Sequence, residues 1–140
     1  MILEPLFIFY RKDLELNSLA DFKGLKVGIG PENSGTRLLA ETILSLYGVN
    51  GKNTEFVDQT HSTHFDMMEK GKLDVGFFLL PANNQFVFKL GTNPNLKIFS
   101  LRNSKAISRR YDYLYPEIVQ AGGFDLRNNI PRKNIQVVSL

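Results

Sequence analysis

The stretch Lys26-Val27-Gly28-Ile29-Gly30-Pro31-Glu32-Asn33-Ser34-Gly35-Thr36-Arg37 gathers the residue types from which an anion site can be built. The first amides of a helix have no partners inside it, and the helix dipole places about half a positive charge at that end. If a helix starts at Thr36, Ser34 and Thr36 add hydroxyls and Gly35 lets a ligand approach the backbone. Arg37 either adds a planar, bidentate donor or pairs with a local carboxylate. The chemistry on offer is the capture of a carboxylate or phosphate without a metal.

Other readings of the same residues are weaker. Gly30 and Gly35 have the glycine spacing of a nucleotide-binding P-loop, but Thr36-Arg37 stands where Lys and Ser/Thr are needed, and Glu32 puts a negative charge in the loop. The dinucleotide fingerprint fails because Asn33 stands where a third small residue is required. A capped helix with no ligand remains open. His61-x2-His64 with Asp66 suggests a metal pair, yet no third ligand is evident, and His64 reads as a solvent-side residue. Thr63-x2-Asp66 reads as a variant capping box. No Ser/His/Asp order and no cysteine recommends nucleophilic catalysis, so neither an enzyme nor a cofactor is expected.

The elements that must position these groups alternate. Leu3–Tyr10 reads as a strand, Ser18 as the cap of one short helical turn, Leu25–Gly30 as a strand and Thr36–Tyr47 as a helix. Thr54–Val57 is a strand, Thr63–Lys70 a helix, and Leu73–Leu80 an apolar strand buried on both faces. Asn83–Leu90 and Asn103–Tyr111 read as helices around a strand at Asn95–Leu101. Residues 112–134 show no regular pattern, and Ile135–Leu140 closes as a strand. This order predicts an α/β domain with a mostly parallel sheet and helices on both faces. Ligands of such sheets sit beyond the carboxyl ends of the strands, where Thr60 and His61 would join Ser34–Arg37, with Phe78 and Asn83 from the next strand end.

With 140 residues, the chain fits one domain able to bury a core without disulfides. A net charge of +3 does not call for nucleic acid, and the basic run Arg102, Lys105, Arg109, Arg110 reads as a solvated helix face. The apolar run near Val75–Ala82 is far shorter than the ~20 residues that span a bilayer. The start, Met1-Ile2-Leu3-Glu4-Pro5, has no basic region or cleavage site, so no signal peptide is expected within this sequence.

Several segments together resemble the TAXI family, the solute receptors of tripartite ATP-independent periplasmic (TRAP) transporters. They are Glu4-Pro5-Leu6 with Tyr10-Arg11, then Leu19 and Lys23-Gly24-Leu25-Lys26-Val27 running into Pro31–Arg37. Gly71-Lys72-Leu73-Asp74-Val75-Gly76-Phe77-Phe78 and Phe124-Asp125-Leu126 with Asn128-Asn129-Ile130-Pro131 extend the likeness over most of the chain. The resemblance implies the type 2 periplasmic binding protein fold: two α/β lobes joined by crossover strands, with the ligand between them. Residues 1–140 would then form a single α/β domain, mainly the second lobe, with Leu3–Tyr10 near the incoming crossover. By the same resemblance, Ser34, Gly35 and Thr36 would hold the anionic group of an amino acid or dicarboxylate, and the partners would be membrane permease subunits. It further implies a periplasmic location, or a membrane-anchored receptor facing the periplasm. A ligand-sensing effector domain of a transcription regulator with the same fold is the alternative.

Overall fold

Strand β1 (Leu6–Arg11) alternates its side chains between two interiors: Leu6 and Ile8 face one core, Phe7 and Phe9 the other. Strand β4 (Val75–Leu79) does the same, with Val75, Phe77 and Leu79 on one side and Phe78 on the other. A strand buried on both faces needs helices on both, and that is the architecture seen in a computed structural model that describes residues 3–140. Met1 and Ile2 lie outside the described residues.

The sheet has the order β3-β2-β4-β1-β5, with β2 at Lys26–Gly28, β3 at Glu55–Val57 and β5 at Leu96–Ile98. Strand β2 runs parallel to both β3 and β4, whereas β1 is antiparallel to β4 and to β5. Four strands therefore share one direction and β1 opposes them. Hydrophobic patterning does not encode strand direction, so this reversal was outside the reach of the sequence reading.

Helix α1 (Gly35–Ser45) places Leu39, Ala40, Ile43 and Leu44 on the first core, with Leu19 and Phe22 of the short 3-10 turn Leu19–Phe22. Gly48 and Val49 close α1 by donating to the Ser45 and Leu44 carbonyls at 3.1 Å each, the pattern of a Schellman cap. Helices α2 (His61–Glu69) and α3 (Gln85–Thr92) cover the opposite face through Phe65, Met68, Val87 and Leu90. Burying side chains as large as Phe7, Phe9, Phe22, Phe77 and Phe78 contributes about 1.5–3 kcal/mol each before entropy is counted. The crossover β2-α1-β3 leads one way from β2, and β3-α2-β4 returns past it. Right-handed connections then require α1 and α2 on opposite faces.

Helix α4 (Ser104–Ser108) and a separate antiparallel pair, β6 (Tyr115–Val119) and β7 (Ile135–Ser139), finish the domain. Strand β6 falls in the segment that shows no pattern in the sequence. It contains Pro116 and leaves Tyr115 and Ile118 largely exposed, so it lacks the alternation of a half-buried strand. Proline is tolerated because β6 has one partner only and its other edge is free.

The two ends of the fold meet. Glu4 and Leu140 exchange backbone hydrogen bonds of 3.0 and 2.9 Å, and Pro5 bridges Ser139. Because β1 is antiparallel, its start lies against Leu79 and Leu80, at the carboxyl edge of the parallel strands.

Candidate functional site

Three helices begin on that carboxyl edge, one after each of β2, β3 and β4. Each has a short polar cap. Ser34 Oγ accepts from the Arg37 amide at 3.1 Å, Thr60 Oγ1 from the Thr63 amide at 3.2 Å, and Asn84 Oδ1 from the Phe86 amide at 2.8 Å. In α1 and α2 the cap satisfies the third amide. The first two, of Gly35 and Thr36 and of His61 and Ser62, have no acceptor within their helices. Gly35 is exposed and Thr36 is buried, so the start of α1 is open to a ligand at Gly35. Gly30 makes the tight approach possible: it has φ +91°, and a Cβ there would meet Thr36 Cβ at 2.9 Å and Ser34 Oγ at 3.1 Å.

Thr36 and His61 link the two termini. Thr36 is buried, and its Oγ1 lies 3.3 Å from His61 Nε2. The half-buried His61 ring leans over Phe78, with centroids 5.7 Å apart and planes at 34°. Its Nδ1 is buried and has no hydrogen-bond partner. Burial holds its pKa below the ordinary histidine value, opposed by the carboxylate of Glu4 on the incoming strand. His61 thus meets the start of α1 through Thr36 and rests against Phe78.

Arg37 turns to carboxylates rather than to the edge. Its Nε is 2.6 Å from Glu41 and its Nη1 3.4 Å from Asp58. The hydrogen bond to Glu41 raises its pKa further. The pair with Asp58 links the first turn of α1 to the loop that leads into α2. Phe78 is fully buried and forms a floor beneath His61 instead of lining open surface. Asn83 is exposed in the turn before α3, where the capping role belongs to Asn84. Ser34, Gly35, Thr36, Thr60 and His61 thus come together on one edge, Phe78 supports them, and Asn83 stays on the next loop.

Helix α2 begins at His61, two residues before the position read from the sequence, because Thr60 and not Thr63 is its cap. His64 is consequently an inner residue, fully buried, and not solvent-side. Its Nε2 accepts the Gln59 amide at 3.1 Å, while Nδ1 lies where a Cβ on Gly28 would approach to 3.0 Å. Burial, aided by the nearby His61, lowers its pKa to about 4. The spacing of His64, Phe65 and Met68 on one helical stripe was the available signal. No group of three metal-ligating side chains occurs among the described residues.

A family model described as the NMT1-like family matches residues 1–132. The chain belongs to the NMT1-like family. Solved structures with a similar fold belong to longer chains. The alkanesulfonate-binding protein SsuA from Xanthomonas axonopodis pv. citri, bound to MOPS, superposes with a TM-score of 0.56 at 13% identity over 69% of this chain and 34% of its own. The periplasmic aliphatic sulphonate binding protein SsuA from Escherichia coli gives 0.57 at 15% identity, over 67% and 29%. PhnD1 from Prochlorococcus marinus, in complex with methylphosphonate, gives 0.53 at 29% identity, over 69% and 40%. The NMT1-like chain has the fold of one lobe of such proteins, and spans about a third of their length.

Proposed function

We propose that the chain is one lobe of a two-lobed solute receptor that captures a small organic anion, an amino acid or dicarboxylate, and presents it to membrane permease subunits. It is a binding protein and not a catalyst. The observation that carries this reading is the shared edge. The amides of Gly35, Thr36, His61 and Ser62, which have no acceptor within their helices, the Thr36–His61 pair and both end strands all lie there. The side-by-side strands at Glu4 and Leu140 are suited to joining a second lobe across that edge. Closure of the lobes would follow from contacts that the ligand makes only in the closed state.

The TAXI type, with a tripartite permease, is supported by the segments from Glu4 to Arg37 and from Gly71 to Phe78. Likeness to receptors for sulfonates and phosphonates supports the architecture and a periplasmic setting, or an anchored receptor facing the periplasm, and widens the ligand panel to tetrahedral oxyanions.

The test is a thermal-shift and calorimetric screen of the full-length protein against dicarboxylates, amino acids, alkanesulfonates and methylphosphonate. A ligand at about 100 times its Kd stabilises by about 2.7 kcal/mol. Thr36→Val keeps the shape of the side chain and removes its hydroxyl. It should weaken a genuine ligand by about tenfold or more, the loss of one charge-assisted hydrogen bond. Silence across the panel, or binding indifferent to Thr36→Val, would overturn the reading.

A further inference from the structure

The sheet has a second region that the ligand edge does not use. Strand β5 is its outer strand, and beside it runs a groove of about 830 Å³. The β1–β5 register assigns the backbone groups of this edge. Phe99 donates to the Ile8 carbonyl at 2.7 Å and Lys12 donates to the Asn95 carbonyl at 3.0 Å. The polar groups of Asn95, Lys97 and Phe99 thus face β1, and those of Ile98, with the Leu96 carbonyl, face out along the free edge. Four cations line the groove, Lys97, Arg102, Arg132 and Lys133, and no carboxylate does. None of the four is in an ion pair among the described residues. Phe124 supplies an apolar wall.

A lysine on an edge strand commonly serves only to prevent pairing of like edges. Lys97 alone would need no more than that. Four unpaired cations around one exposed N–H and C=O do more: they repel a second copy of this chain, which carries the same charges, and favour a strand of opposite charge. We propose that this groove takes an extended acidic segment of a partner protein, added to β5 as a sixth strand. Backbone pairing at Ile98 supplies its register and the four cations its sign selectivity.

The experiment uses the whole chain and a fluorescent peptide of alternating Glu and Val, with a Lys–Val peptide as its counterpart. Anisotropy at low salt should show saturable binding of the Glu–Val peptide. Lys97→Glu/Arg132→Glu, both at exposed positions, should weaken it by about tenfold or more and should admit the Lys–Val peptide instead. Hydrogen exchange should show the Ile98 amide protected only when the Glu–Val peptide is bound. Equal binding of both peptides to the native chain would overturn the proposal. So would binding that leaves the Ile98 amide unprotected, or complete displacement by inorganic phosphate at matched ionic strength, which would mark a small-anion site.

Discussion

His64 should make this fold lose stability in mild acid, and the size of the loss follows from its surroundings. Its Nε2 receives the Gln59 N–H, so the neutral ring carries its proton on Nδ1, against Gly28. A second proton would turn Nε2 from acceptor to donor, facing another donor, and would leave Nδ1 still without a partner. The folded pKa is lowered to about 4 from the ordinary value of 6.5. Between these values the unfolded chain binds the extra proton and the folded chain does not. The stabilisation is thus complete above pH 6.5, declines as the pH falls through this window, and levels off below about 4. Going from pH 7 to pH 5 should cost about 2 kcal/mol from this residue. The assay is urea unfolding at the two pH values for the native chain, His64→Gln and His61→Gln. His64→Gln should remove most of the slope, and His61→Gln a smaller part, because His61 is only half-buried. The His64 ring should titrate near pH 4 by proton NMR. A ring titrating near 6.5, or a pH slope unchanged in His64→Gln, would refute the reasoning.

Two further outcomes follow from the same edge. Ser34→Ala and Thr60→Ala each remove a helix cap and should each cost about 1 kcal/mol in urea unfolding, with additive effects, since each acts on its own helix. Gly28→Ala would place a methyl group 2.8 Å from Leu73 Cδ2 and 3.0 Å from His64 Nδ1 and should destabilise by about 1–3 kcal/mol, with a shifted His64 NMR signal as its local signature.

Much of the fold was legible because buried strands and capped helices leave local marks. The apolar run of β4, the Ser34 cap and Gly48 after α1 are each readable from a few neighbouring residues. Asp74 precedes β4 and accepts the Lys26 amide from the neighbouring β2 at 2.8 Å, so its carboxylate is not stranded. What escaped depends on partners distant in sequence. The reversed direction of β1 is set by pairing with β4, some seventy residues away by register. Strand β6 exists because β7 pairs with it, against its own composition. At the site, residue types located the edge, but orientation decided the roles. Arg37 faces Glu41 and Asp58, and Phe78 lies under His61, because side-chain direction depends on neighbours that spacing cannot rank.

The paired strands at Glu4 and Leu140 have a mechanical consequence. Two strands joined edge to edge act as a ribbon. It bends and twists readily, yet sliding one strand along the other by a single residue would break both of its amide–carbonyl contacts. Any load reaching the lobe through its ends is therefore delivered as torsion and flexure, while shear is resisted.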